Sequence, residues 1–183
     1  HVVAQALEAP LPVPVVWNSG GYDRVETLAA LEGKIQIYLP DYKYTDPDTA
    51  RRYAGAADYP ETARAAIREM VRQTGPYQLD ENGILTRGVI LRHLLLPGGL
   101  NQAREVMDWV AETFPPHTIL FSLMSQYTPW GKAADYPPLD RRLRKSEIRA
   151  AEAYFTNLGL DGFTQGVEAA QAEYIPTFDL TGV

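Results

Sequence analysis

Residues 11–40 have the sequence LPVPVVWNSGGYDRVETLAALEGKIQIYLP, in which a helical segment separates two apolar runs. The runs Leu11–Trp17 and Ile35–Pro40 predict two strands, and the residues around Arg24–Leu31 predict a short helix between them. Parallel neighbours in a sheet need a long crossover, which a helix of this kind supplies. The segment therefore predicts an α/β fold with parallel strands.

The same alternation continues towards the C-terminus. The apolar runs Val89–Leu96 and Ile119–Met124 predict two further strands. Apolar residues recur at helical spacing in three more segments: Ala63–Val71, a segment that starts near a predicted N-cap at Asn101, and Ile148–Leu158, which ends at Gly159. Four strand–helix units fit either an open doubly wound sheet or an arc of a (β/α) barrel. Both architectures bind ligands at the carboxyl ends of their strands.

Other segments depart from this alternation. Tyr77–Arg87 contains Asn82-Gly83 between two strand-like runs, which predicts a small β-hairpin insertion. Val2–Ala9 predicts the end of a helix, and Gly162–Val183 predicts an irregular tail that folds back on the body. No shift in composition divides the chain, so we expect residues 1–183 to form a single domain.

Composition excludes several classes of function. The 183 residues carry a net charge of -6, whereas nucleic-acid binding requires a basic surface. The sequence has no cysteine, so disulfides, thiolate zinc sites, a cysteine nucleophile and a cysteine-bound iron–sulfur cluster within this chain are excluded. No apolar run approaches the ~20 residues of a membrane span. We expect a cytoplasmic protein. Because the chain begins with His1 rather than Met, we also expect that it was either processed or forms part of a longer protein.

Polar residues occur at the end of each predicted strand. Asn18 and Ser19 follow the first strand, and Asp41 and Lys43 follow the second on the face that also carries its apolar residues. Arg92 interrupts the third strand, where a buried guanidinium requires an anion or several carbonyl groups as partners. The fourth strand is followed by Ser125, Gln126, Tyr127 and Thr128. Together these residues predict a ligand site at the carboxyl edge of the sheet.

A structural role is the alternative for several of these residues. Asn18 and Ser19 are also typical of turns, and Asp41 with Lys43 is also typical of a solvated surface pair. His93 is as typical of a hydrogen-bonded core histidine as of a ligand. The basic cluster Arg141, Arg142, Arg144 and Lys145 favours the entry to a helix rather than a phosphate site.

Several segments resemble one protein family, in order along the chain. They are VVWNSGGYDRVETLAALEGKIQIYLPDYKY, YAGAADYPETARAAIREMVRQTG, GVILRHLLLPGG, SLMSQYTPW and the closing EYIPTFDLTGV. These segments are similar to the PflX-type group of radical SAM proteins, which are relatives of pyruvate formate-lyase activating enzyme. The resemblance covers nearly the whole chain.

The resemblance implies a fold and a chemistry. Family members form a partial (β/α)6 barrel that holds a 4Fe–4S cluster through a CxxxCxxC motif near its start. S-adenosylmethionine binds the open iron, and one electron from a donor such as flavodoxin or ferredoxin cleaves it to a 5′-deoxyadenosyl radical. In activating enzymes this radical takes hydrogen from a glycine of a partner enzyme. Because the cluster motif is absent here, we expect the C-terminal arc of such a barrel, with cluster ligands upstream and no activity in isolation.

The resemblance also implies roles for the strand-end residues. Asn18 and Ser19 match a turn that meets the methionine or ribose part of the cofactor. Asp41 and Lys43 match a DxK pair that contacts the cofactor and the reacting centre, and Arg92 matches an arginine that reaches the cofactor carboxylate. With Gln126 from the fourth strand end, the predicted cofactor-binding residues are Asn18, Ser19, Asp41, Lys43, Arg92 and Gln126, and the predicted catalytic residues are Asp41 and Lys43.

Two other functions stay open. Trp17 stands where the family has an acidic residue that helps to build a cation site. Thr128 stands where the family has a histidine, and this departure weakens the inference of a glycyl-radical partner. A small lyase with a Schiff-base amine at Lys43 is one alternative, and a non-catalytic partner-binding module is the other. In every case Leu11–Trp17 predicts an edge strand with an apolar flank, so we expect the isolated chain to form dimers or aggregates.

Overall fold

The computed structural model describes residue 5, residues 7–9 and residues 11–165. Its strands are β1 (Val16–Ser19), β2 (Ile37–Pro40), β3 (Gln78–Leu79), β4 (Leu85–Leu94), β5 (Leu120–Met124) and β6 (Gly162–Gln165). Its α-helices are α1 (Val25–Ala29), α2 (Pro47–Ala54), α3 (Tyr59–Thr74), α4 (Leu100–Thr113) and α5 (Lys145–Leu158), with a short 3-10 helix at Gly131–Asp135. Strands and helices therefore alternate along most of the described chain.

The strands form a sheet in the order β1-β2-β4-β5-β6, and each neighbouring pair is parallel. The predicted α/β class with a parallel sheet is confirmed. The short strand β3 pairs antiparallel with the start of β4 and forms the predicted hairpin, in which the Gly83 N–H donates to the Asp80 carbonyl at 3.0 Å. This hairpin extends from the amino-terminal half of β4, so it lies away from the carboxyl ends of the strands.

The core lies between the sheet and its helices. Along β4 the alternate residues Val89, Leu91 and His93 are buried, as the two-residue period of a strand requires for a face covered by helices. Helix α3 contributes a buried stripe at helical spacing, made of Ala63, Ala66, Ile67 and Met70. No helix among the described residues is both long enough and apolar enough to cross a bilayer.

The first strand begins later than its apolar run predicts. Strand β1 starts at Val16, and its register with β2 runs from Val16 opposite Ile37 to Ser19 opposite Pro40. Pro12 and Pro14 lack the N–H that a strand ladder requires, so the earlier part of the run lies outside the sheet. The predicted end of the strand at Trp17 is therefore wrong, because Asn18 and Ser19 belong to the strand itself.

Two other boundaries also differ from the prediction. The carbonyl of Gly99 accepts the first bond of α4 from the Ala103 N–H, so Gly99 and not Asn101 is the N-cap. Strand β6 pairs with β5, so the start of the predicted irregular tail is regular structure. The rest of that tail, residues 166–183, and most of the helix predicted at Val2–Ala9 lie outside the described residues.

Strand β1 is at one end of the strand order in the described part of the chain, so the predicted edge can be tested. Val16 on this strand is 48% exposed. We expect light scattering at high concentration to show dimers or larger species, and Val16→Lys to reduce them, because a charge on an edge strand opposes pairing. Ile84→Lys, at a 63% exposed position on the hairpin, is the matched control. A monodisperse wild-type monomer would contradict the expectation.

Candidate functional site

Three strand ends place polar side chains within hydrogen-bonding distance of one another. Asn18 lies in β1, Asp41 directly follows β2, and Arg92 lies near the end of β4. The main chain just after β2 stays hydrogen-bonded to both neighbouring strands. The Asp41 N–H donates to the Ser19 carbonyl of β1, and the Tyr42 N–H donates to the Arg92 carbonyl of β4. The parallel register thus brings residues distant in sequence to the same edge of the sheet.

The Arg92 guanidinium joins these side chains. Its Nε donates to Asp41 Oδ1 at 2.8 Å, and its Nη2 donates to Asn18 Oδ1 at 2.7 Å. The side chains of Arg92 and Asp41 are 25% and 20% exposed, so one side of the pair still faces solvent. A charge-assisted bond of this kind is stronger than a neutral one and fixes the orientation of the carboxylate.

Lys43 lies beside this network at its solvent side. Its Nζ is 3.5 Å from Asp41 Oδ2, and 46% of its side chain is exposed. The distance is that of a loose ion pair, which leaves the ammonium able to turn towards a ligand. The structure therefore brings together the head groups of Asn18, Asp41, Lys43 and Arg92, as the strand-end prediction requires.

A cavity of about 210 Å³ adjoins this cluster. Its wall is apolar apart from two charged residues, and it is lined by Asp41, Lys43, Tyr44, Leu94, Leu96 and Met124. Apolar pockets with a few convergent polar groups are the usual form of a small-molecule site. The arrangement can hold a ligand that has both a charged end and an apolar part.

The loop after β1 approaches the cluster closely. At Gly21, φ is +78°, and a Cβ there would lie 2.1 Å from the Asp41 carbonyl oxygen. Only glycine allows this combination of a left-handed conformation and close approach of two main chains. Gly21 therefore holds the β1 loop against the residue whose carboxylate binds Arg92.

Two predicted site residues lie outside this network. The Ser19 hydroxyl donates to Asp23 Oδ2 and accepts from the Gly21 N–H, so it stabilises the turn. Gln126 donates through Nε2 to Gln165 Oε1 at 3.0 Å, and its own Oε1 is buried without a partner among the described residues. No hydrogen bond joins either side chain to the Arg92 network, and their cofactor contacts stay predictions.

His93 and the basic cluster have structural roles. The His93 ring is buried with Nδ1 2.7 Å from the Tyr42 carbonyl, and burial lowers the pKa of this histidine. At the start of α5, both Arg141 Nη atoms donate to Glu147, and this arginine lowers the pKa of Glu147 to about 2. The helix-entry interpretation of the basic cluster therefore agrees with the observed contacts.

Sequence analysis missed Tyr59 as a site residue, although its hydroxyl contacts the main chain of Asp41 and Lys43. Burial raises the pKa of Tyr59, so the phenol is protonated at neutral pH.

Sequence analysis also missed helix α2, although the sequence carries its start signal. The Asp46 side chain accepts from the Thr49 N–H at 2.7 Å, and Pro47 occupies the first turn.

The chain's own residues do not fit an iron–sulfur cluster. The sequence has no cysteine, and the described residues contain no group of three or more histidine, aspartate or glutamate side chains that could hold a metal ion. The donor set at the strand ends consists of a carboxylate, an amide, an ammonium and a guanidinium. Such a set suits a charged organic ligand.

Fold and site together define an α/β protein with a polar cluster and an adjoining cavity at the carboxyl ends of parallel strands. No protein-family model matches the chain. Its structure is similar to a domain of pyruvate-formate lyase-activating enzyme from Bacteroides vulgatus, with a TM-score of 0.57 and 14% identity, over 81% of this chain and 79% of that one. This likeness shows a shared fold.

A relative is known from sequence. The uncharacterized protein MJ0674 of Methanocaldococcus jannaschii is 29% identical over 150 residues, which cover 81% of this chain. The match spans 40% of the length of that relative.

Proposed function

We propose that this chain is part of a radical S-adenosylmethionine enzyme related to pyruvate formate-lyase activating enzyme, and that its strand-end cluster binds the cofactor. The observation that supports this proposal is the network in which Arg92 joins Asn18 and Asp41, with Lys43 beside it. The fold shared with an activating-enzyme domain is consistent with it.

The cluster matches the polar groups of S-adenosylmethionine. The cofactor carries a carboxylate, an amine and two ribose hydroxyls, which call for a cation, an acid and an amide. In this assignment Arg92 and Lys43 bind the carboxylate, Asp41 accepts from the amine or a hydroxyl, and Asn18 orients the ribose or methionine part. The apolar wall of the cavity excludes water from that side of the ligand.

The chain's residues position the cofactor, while the cofactor supplies the reaction. Together with a reduced 4Fe–4S cluster, S-adenosylmethionine would supply radical chemistry that removes hydrogen from a substrate, and Asn18, Asp41, Lys43 and Arg92 would hold and orient it. Cysteine ligands for such a cluster would come from outside these 183 residues. An electron donor such as flavodoxin or ferredoxin and a protein substrate of the glycyl-radical type are the proposed partners.

Calorimetric titration with S-adenosylmethionine tests the proposal. We expect measurable binding by the chain, and binding at least about tenfold weaker for the decarboxylated cofactor, because a charge-assisted bond contributes about 1.5–3 kcal/mol. Lys43→Met should weaken binding of the intact cofactor about three- to tenfold. Lys132→Met, on the 3-10 helix after β5, is the control. Equal binding of the two cofactor forms would contradict the assignment of the carboxylate.

A Schiff-base lyase is the second candidate, because Lys43 lines a largely apolar cavity. Incubation with pyruvate and borohydride, followed by mass spectrometry of peptides, distinguishes the two functions. A reduced adduct on Lys43 supports the lyase. We expect no adduct, because the radical reaction does not require a covalent bond to the lysine.

A further inference from the structure

Tyr59 is the first residue of α3, and only 4% of it is exposed. Its hydroxyl oxygen is 2.9 Å from three main-chain atoms, which belong to two different loops. The Lys43 N–H donates to this oxygen, and the one hydroxyl proton can be donated to the carbonyl of Gly20 or to that of Asp41. One buried hydroxyl therefore links the loop after β1 to the loop after β2.

The ring of Tyr59 is held from two sides. Tyr22 stacks on it at a centroid distance of 5.8 Å, and Tyr44 packs edge-on at 5.6 Å. Tyr22 is in turn fixed by its hydroxyl, which donates to Asp58 Oδ1 at 2.6 Å. Aromatic pairs in these geometries add stability beyond the area they bury, so the position of the hydroxyl is well defined.

The linked atoms belong to the residues that carry the proposed site. Lys43 and Asp41 supply the ammonium and the carboxylate, while Gly20 lies so near that a Cβ on it would be 3.5 Å from Lys43 Nζ. Main-chain restraint at Asp41 and Lys43 sets the direction in which their side chains leave the strand end. Without it, the Lys43 main chain would lose this hydrogen bond, and its ammonium would sample orientations that do not face Asp41.

We propose that Tyr59 is a positioning residue for the strand-end site, because its hydroxyl fixes the main chain of Asp41 and Lys43 against the β1 loop. The inference rests on the proposed cofactor-binding function where it predicts affinity, but its structural part can be tested separately. Tyr59 acts through Asp41 and Lys43 and makes no contact with the ligand in this assignment.

Tyr59→Phe removes the hydroxyl and keeps the ring. It leaves the Lys43 N–H and the Gly20 and Asp41 carbonyls without their shared partner. Tyr38→Phe is the matched control, because Tyr38 is fully buried in β2 and its hydroxyl donates to Gln73 Oε1 at 2.6 Å, away from the cluster. Each variant loses one buried, hydrogen-bonded hydroxyl, so both should lose stability, and Tyr59→Phe should lose more because three main-chain groups lose their partner.

Two measurements distinguish positioning from general destabilisation. In titrations with S-adenosylmethionine, we expect about tenfold weaker binding for Tyr59→Phe, which corresponds to about 1.4 kcal/mol, and no change for Tyr38→Phe. By NMR, exchange of the Lys43 amide should accelerate at least about tenfold in Tyr59→Phe alone, since its acceptor is gone. Equal affinity losses in both variants, or unchanged exchange at Lys43, would overturn the inference.

Failure of the proposed function gives a different result. If the wild-type chain does not bind S-adenosylmethionine while Tyr59→Phe still accelerates Lys43 exchange, the cofactor assignment is wrong and the positioning role stands. If Lys43 exchange is unchanged in the variant, the positioning role is wrong whether or not the cofactor binds.

Discussion

Replacement of Gly21 with alanine should lower the free energy of unfolding by about 2–5 kcal/mol. A left-handed conformation costs a residue with a Cβ about 1–2 kcal/mol, and forcing extra atoms into a packed site costs about 1–3 kcal/mol more. Both apply here, because φ is +78° and the added Cβ would lie 2.1 Å from the Asp41 carbonyl oxygen. That oxygen belongs to the main chain, so no side-chain rotation relieves the contact.

Gly33→Ala is the matched control for this variant. Its φ is also +78°, but no atom lies within 4 Å of the position that a Cβ would take. We expect it to cost only the conformational part, about 1–2 kcal/mol. Urea denaturation with linear extrapolation measures both values. If the two variants lose the same stability, the close approach of the β1 loop to Asp41 is not a constraint on the fold.

The sequence predicted those features of the fold that depend on local pattern. The segment from Leu11 to Pro40 carries two apolar runs around a helical one, and the structure has parallel β1 and β2 there. Because the carboxyl ends of parallel strands lie at the same edge of a sheet, Asp41 and Arg92 were predicted to lie close together. In the structure, Arg92 Nε lies 2.8 Å from Asp41 Oδ1. The period of two along β2 likewise predicted that Lys43 would lie on the same side as Asp41.

The rest of the site depends on contacts between segments that local patterns do not record. Nothing near Tyr59 in the sequence indicates that its hydroxyl meets the N–H of Lys43 and the carbonyl of Gly20, which lies 39 positions away. The contacts of Ser19 could not be read from a local pattern either. Its hydroxyl bonds Asp23 and the Gly21 N–H in the turn after β1, and it does not bond the Arg92 network. The start of β1 could have been predicted from the sequence, because Pro14 lacks the N–H that a strand ladder requires.

Arg92→Met should weaken binding of S-adenosylmethionine about 10- to 100-fold. Methionine keeps much of the apolar stem but removes the charge and every donor, so the cofactor carboxylate loses a charge-assisted bond. The variant also leaves the Asp41 carboxylate and the Asn18 amide oxygen without their donor. We therefore expect a loss of about 1–3 kcal/mol in the free energy of unfolding as well.

Arg87→Met separates these two effects. Arg87 lies on the same strand, near its start, and its guanidinium donates to the Thr74 carbonyl at 2.9 Å and to the Gln73 carbonyl at 2.7 Å. Its removal should destabilise the chain while cofactor affinity stays unchanged, because the amino-terminal half of β4 is far from the strand ends. Calorimetric titration with S-adenosylmethionine, carried out on each variant well below its melting temperature, measures the two affinities. Wild-type affinity in Arg92→Met, or an equal loss in Arg87→Met, would mean that the guanidinium at the strand end holds the fold together and does not bind the cofactor.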